Sequence, residues 1–395
     1  MALHRPLLAC CLVAAGLLCA MRPACAAPAA PCLQDGWPAW ERFKASLLRS
    51  GGRILDPSSS RATTVSEGQA YALFFALVAD DRSAFEDLVR WTEDNLAGGD
   101  LALRLPAWQW GRRDDGSYGV LDANPAADAD LWLAYALGEA GRLWQERRYR
   151  ALSSLLAERI VGEESADIAG LGRSLLPGAQ GFAPVQGRWR LNPSYAPPFL
   201  LRWLATRSTD PRWEAMRRSA QRVLLESAPS GFVPDWAVFH EPGADDRGGF
   251  RSPAADARDG SYDAIRAYLW LGMTGADDAD RDRALRQLTP MADLTERAGL
   301  PPEHVDVASG KPQGVGPVGF SAALLPFLEA LGRSAALAAQ EQRLRTQAPV
   351  GYYDQALALF GSGWRERRFA FGRDGALRVA WQACAAPPAP AATAP

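Results

Sequence analysis

About a dozen segments with helical apolar spacing run through the chain, and no strand alternates with them. That pattern excludes a parallel α/β sheet and predicts an all-α fold. Trp37, Trp40, Phe43, Leu47 and Leu48 mark the first helix, which Gly51-Gly52 ends. Leu73, Phe74, Phe75, Leu77 and Val78 bury a second, and Ser261 reads as the cap of an apolar helix over 262–273. Others are expected near 85–96, from Pro125, and over 147–160, 199–203, 213–225, 280–288, 320–331, 335–347 and 354–361. Three short β-hairpins interrupt the helices: one within 105–122 at Asp115-Gly116, one within 181–191 at Gln186-Gly187, and one within 369–381 at Asp374-Gly375. No fixed-period repeat and no linker divides the chain, so residues 27–384 are expected to form one domain.

The ends read differently. Arg5 precedes the apolar run from Pro6 to Ala20, and Ala24-Cys25-Ala26 fits small-x-small cleavage. Residues 1–26 are therefore expected to be a signal peptide, giving a periplasmic or secreted protein without a membrane anchor after cleavage. Four of the six cysteines leave with it; Cys32 and Cys384 remain, and can pair or stay free thiols. Residues 385–395 are only Ala, Pro and Thr, and are expected to be a disordered tail. Loss of Arg5 and Arg22 takes the formal charge from −2 to −4, a poor balance for neutralising phosphates, so nucleic acid is excluded as a partner.

Several chemistries lack their residues. His240 and His304 are the only histidines after the leader, too few for a multi-His zinc site, and no EF-hand spacing is present. The G-x-G-x-x-G match from Gly314 to Gly319 follows no strand and contains Pro317. No G-x-S-x-G elbow occurs. No metal and no cofactor is expected. Four acids at three helix starts stand out instead. Glu67 follows Thr64-Val65-Ser66, a capping-box pattern, so an ionised helix cap and a proton donor are both open to it. Asp128 and Asp130 lie in a first helical turn and must point to different sides. Asp263 has Arg266 three residues on as a possible ion-pair partner. With 14 tryptophans, the chain also places Trp108, Trp110, Tyr118, Tyr195 and Trp236 in loops and hairpins, where flat rings suit satellite packing or the stacking of sugars.

These segments in this order resemble glycoside hydrolase family 8: Ser66-Glu67-Gly68-Gln69, Leu105-Pro106-Ala107-Trp108-Gln109-Trp110-Gly111, Asp128-Ala129-Asp130, Asn192-Pro193-Ser194-Tyr195, Phe232-Val233-Pro234-Asp235-Trp236, Ser261-Tyr262-Asp263-Ala264-Ile265-Arg266 and Gly316-Pro317-Val318-Gly319-Phe320-Ser321. The resemblance spans nearly the whole chain after the leader. More narrowly, it is to the endoglucanases made alongside bacterial cellulose synthase. One position departs: Ala127 stands where the family usually has a hydroxyl residue. The resemblance implies an (α/α)6 barrel of six inner and six outer helices that cleaves β-1,4-glucan (cellulose) with inversion. It implies Glu67 as the acid, Asp263 as the base, and Asp128 as the group holding the sugar beside the cleaved bond. Trp108, Trp110, Tyr195 and Trp236 would stack sugars, and Tyr262 and Arg266 would flank the base. The implied partners are glucan chains and, functionally, a cellulose synthase complex.

Overall fold

The computed structural model describes residues 36–244, 246–251, 258–278 and 280–385. The expected leader, nearly all of the Ala/Pro tail, and the Cys32 and Cys384 side chains lie outside what is described.

The helices are α1 (Pro38–Leu47), α2 (Ser66–Val78), α3 (Arg82–Asn95), α4 (Ala127–Leu143), α5 (Arg147–Glu163), α6 (Pro198–Arg207), α7 (Arg212–Glu226), α8 (Ala264–Met273), α9 (Arg281–Ala298), α10 (Val318–Ala330), α11 (Ser334–Thr346), α12 (Gly351–Arg365) and the short α13 (Ala380–Ala385). Burial sorts them. α2, α4, α8 and α10 are apolar and buried on nearly every side, whereas α3, α5, α7 and α9 bury one stripe. A helix buried all round must be inside, and one with a single apolar stripe must cover it. Packing follows that rule. α2, α4, α6, α8, α10 and α12 form a closed ring, each on the next and α12 back on α2. Around it α3 lies on α2, α5 on α4, α7 on α6, α9 on α8, α11 on α10 and α1 on α12. This is the expected (α/α)6 barrel.

Aromatic rings from different inner helices fill the axis. Trp132 of α4 sits 5.2 Å from Trp270 of α8, 5.0 Å from Phe360 of α12 and 5.9 Å from Tyr71 of α2, ring centre to ring centre. Each fully buried ring contributes about 1.5–3 kcal/mol by leaving water. The wholly buried Glu139 adds a polar staple. Its carboxylate accepts from Arg142, from Trp203 Nε1 at 2.6 Å and from the Leu377 N–H at 2.7 Å, tying α4, α6 and the last hairpin together.

Six small sheets cap the barrel among the described residues, more than the three expected hairpins. The hairpins at Asp115-Gly116 and Asp374-Gly375 form as expected. The first gains a third strand, because Thr64-Val65 pairs with Gln109–Arg112. The hairpin expected within 181–191 is corrected. The chain does turn at Gln186-Gly187, but Arg188–Leu191 pairs with Ala237–His240, a partner about fifty residues away that local turn chemistry cannot reveal. The helix expected over 280–288 runs on through Pro290 to Ala298.

Inner helices approach backbone to backbone at glycines. A Cβ on Gly361 of α12 would lie 1.9 Å from the Ala322 carbonyl oxygen of α10, and one on Gly272 of α8 would lie 2.3 Å from the Phe327 nitrogen. Neither backbone can yield without separating two ring helices. Gly361→Ala should therefore destabilise the fold by about 2 kcal/mol or more, despite its better helix propensity. Urea denaturation of the variant checks this; an unchanged midpoint would mean the ring tolerates widening there.

Candidate active site

Three inner helices present acids at their N-terminal ends. Glu67 is the second residue of α2, Asp128 the second of α4, and Asp263 precedes the first residue of α8. Their spacing in the chain is wide, and the ring brings them together around one guanidinium. Arg266 Nη1 donates to Asp128 Oδ2 at 2.8 Å and to the Tyr71 hydroxyl at 3.1 Å. Its Nη2 donates to Asp263 Oδ1 at 2.6 Å and to Ser194 Oγ at 3.3 Å. The i,i+3 pair with Asp263 forms, and Arg266, only 4% exposed, also reaches Asp128 and so bridges two carboxylates from different helices. Asp263 Oδ2 accepts from Asn192 Nδ2 at 3.1 Å, and Asp128 Oδ1 accepts from the Ala129 N–H at 2.9 Å.

Glu67 is treated differently. It lacks an arginine partner among its hydrogen bonds, and Trp108 Nε1 reaches its Oε1 at 3.3 Å. Burial, then the neighbouring charge of Asp128, pushes Glu67 up to about 8. Its own backbone, Arg266 and Trp108 offset part of that rise. Glu67 is thus an acid that keeps its proton at neutral pH. Burial also raises Asp128, against the pull of Arg266, and holds the phenols of Tyr71 and Tyr195 in the neutral form.

The capping box does not form. α2 starts at Ser66 with no side-chain cap, because Thr64 is held in a strand opposite Trp110. The Thr64 hydroxyl donates to the Ile54 carbonyl at 2.6 Å instead. Ser261 is likewise no cap: its hydroxyl donates to the Glu303 carbonyl at 2.6 Å, and α8 begins at Ala264.

The aromatic candidates flank this cluster. Trp108 and Tyr262 are exposed, at 38% and 43%, beside Glu67 and Asp263 respectively, and Tyr118 is exposed on the Trp110 hairpin. Tyr262 donates to Glu303 Oε1 at 2.8 Å, and its carbonyl accepts from Tyr353. Tyr195 packs 5.4 Å from the Arg266 guanidinium and 6.0 Å from Trp236. Trp236 carries Arg190 4.0 Å over its ring, with Phe182 stacked nearly parallel at 6.2 Å. Trp110 is half-buried and engaged by protein partners: Tyr118 stacks on it at 5.3 Å and Arg53 lies 4.4 Å over it. Phe182 was missed, since one aromatic in a Gly-rich loop gives no periodic signal.

Asp130 points away from the site, as its spacing from Asp128 required. It meets Glu164, at the C-terminal end of α5. Both are fully buried, and no N–H or O–H of another residue donates to either carboxyl. Burial and mutual charge raise both well above the ordinary carboxylate range. Two facing carboxyls without donors must share a proton, since two ionised ones would repel unscreened. The folded chain holds that proton more tightly than the unfolded chain. Its contribution to stability is full below the ordinary carboxylate range and is lost as pH rises through the raised value. Glu164→Gln replaces the proton with an amide donor. Urea midpoints should fall as pH rises above the ordinary carboxylate range for the unmodified chain and fall less for this variant; parallel curves would disprove the shared proton.

No group of three or more His, Cys, Asp or Glu suited to a metal ion occurs among the described residues. What remains is a protonated acid, an arginine-bound pair of carboxylates, and flanking aromatic rings. The chain as a whole is similar to known proteins. The family model for glycosyl hydrolases family 8 matches residues 14–367. The chain is 49% identical over 352 residues to an endoglucanase of Escherichia coli O157:H7, covering 88% of this chain and 93% of that one. It is 46% identical over 374 residues to an endoglucanase of Xanthomonas axonopodis pv. citri, covering 93% and 95%. The crystal structure of endo-1,4-D-glucanase from Vibrio fischeri superposes with a TM-score of 0.83 at 42% identity, over 88% of this chain and 99% of that one. The chain belongs to glycosyl hydrolase family 8.

Proposed function

We propose that the protein is an endo-1,4-β-glucanase that cleaves internal bonds of β-1,4-glucan with inversion. The observation that carries this reading is Glu67: a half-buried acid pushed up to about 8, beside carboxylates that an arginine neutralises. A glycosidase needs such unlike carboxyls, one still protonated and one free to take a proton. The relatives at 46–49% identity are named endoglucanases, and the name of the Vibrio fischeri protein, an endo-1,4-D-glucanase at 42% identity, supports the bond position.

In this reading Glu67 gives its proton to the glycosidic oxygen, and the leaving sugar departs with that hydrogen. A water on the opposite face attacks the anomeric carbon while Asp263 takes one of its protons. The two acids of an inverting site stand roughly 6.5–9.5 Å apart, leaving space for that water. Asn192 and Arg266 hold the two oxygens of Asp263, which fixes the direction from which the water is approached. Asp128, fastened by Arg266 and by its own helix N-terminus, holds the sugar beside the cleaved bond. Trp108, Tyr195 and Trp236 supply ring faces for sugars on either side, whereas Trp110 is already engaged by Tyr118 and Arg53. The leader-like residues 1–26 support a periplasmic or secreted location, and the family resemblance supports a role in cellulose production beside its synthase.

Glu67→Gln keeps the size of the side chain and removes the proton. Turnover of carboxymethyl-cellulose should fall at least ~100-fold, the lower range for general acid catalysis. Unchanged turnover would end the assignment of the acid. Activity of the unmodified protein should also decline as pH rises through about 8, where Glu67 loses its proton. Proton NMR of the first product reads the stereochemistry: inversion yields the α-anomer first, and an initial β-anomer would overturn the roles of Glu67 and Asp263.

A further inference from the structure

Helix α8 starts without a cap of its own, although it carries the proposed base at its first bend. Its cap comes from elsewhere. Asp235 Oδ1 accepts from the backbone N–H groups of Ser261 at 2.7 Å, Asp263 at 3.1 Å and Ala264 at 2.7 Å. One carboxylate oxygen thus gathers three main-chain donors from residues 26 to 29 positions later in the chain. The Asp235 N–H donates in turn to the Asp259 carbonyl at 2.8 Å, so the two segments are laced in both directions.

We propose that Asp235 is a positioning residue for the catalytic base, fixing the backbone of Asp263 so that its carboxylate faces the attacking water. The inference rests on the reading of Asp263 as base. Its physical basis is direct. Bonds from backbone N–H to a charged carboxylate are among the strong ones, and here they complement the positive end of α8. Arg266 and Asn192 hold the Asp263 side chain, but they set its orientation only relative to a backbone that must itself be fixed. Loss of the cap frees the φ and ψ of Ser261 through Ala264, and misplacement of a reacting group by about 1 Å can cost on the order of 100-fold in rate.

Acidity adds a second handle. Burial lifts Asp235 to about 6, with the N–H groups of Ala264 and Ser261 opposing the rise and the charges of Asp263 and Asp259 adding to it. The phenols of Tyr268 and Tyr353 also face it and stay neutral in this range. Protonation near pH 6 weakens the acceptor that holds the base, so Asp235 contributes to the acid limb of the activity profile.

The test compares Asp235→Ala, Asp235→Asn and the unmodified protein on cellohexaose, with thermal melts of each. The Ala variant should lose kcat by about 100-fold while KM changes little. The Asn variant, whose amide oxygen still accepts, should recover most of kcat, with an acid limb flattened around pH 6. A merely structural role would lower the melting temperature and leave kcat intact well below it. An Ala variant with near-normal kcat would overturn the inference. If that variant does not fold, the Asn variant decides alone: an acid limb unchanged from the native one would overturn it. Asp263→Asn separates the two levels. An active Asp263→Asn enzyme would sink the reading of the base itself, whereas an inactive one beside an unaffected Asp235→Ala would sink only the positioning role.

Discussion

The buried guanidinium of Arg266 is the interaction on which the site depends. A cation enclosed by protein is tolerable only with its charge answered and its N–H groups directed to acceptors. Arg266 finds Asp128, Asp263, Tyr71 and Ser194, so it joins α2, α4, α8 and the loop before α6 at one point. Its positive charge answers the two carboxyl groups that sit within hydrogen-bond distance of it. Glu67, next to them without such a partner, then has every reason to keep its proton. The division of labour among three carboxyls follows from where one arginine reaches and where it does not.

That arrangement shows which parts of the molecule can be read from residue order and which cannot. The apolar runs of α2 and α8 were visible in the residue order, whereas their place on the inner ring is seen in the fold. Glu67, Asp128 and Asp263 were visible as acids at helix starts. Their convergence was not, because nothing local says that residues 67, 128 and 263 share a neighbour. The Thr64 to Glu67 segment misled for a related reason. Its pattern suits a capping box, but pairing with Gln109–Arg112 draws Thr64 into a sheet before it can cap anything. Long-range pairing overrode local preference there, as it did where Arg188–Leu191 chose Ala237–His240.

Buried carboxyls were the hardest to read. Asp235 lies in a loop between two apolar residues and a tryptophan, and its three N–H donors belong to a segment that comes much later. Asp130 looked like an ordinary first-turn acid, yet it faces Glu164 and no donor. In both cases the sequence shows a charge and the fold decides whether water, an N–H group or another carboxyl will meet it.

The closed ring has one more consequence. Asp263 stands at the head of α8, and α8 meets α10 at Gly272, where the two backbones leave no space for adjustment. A group mounted in this way has little room to move toward its substrate. In a glucanase so built the enzyme is the anvil and the sugar is the metal: the polymer must bend to the protein. A glucan chain already free of its neighbours bends more cheaply than one held in a packed fibre.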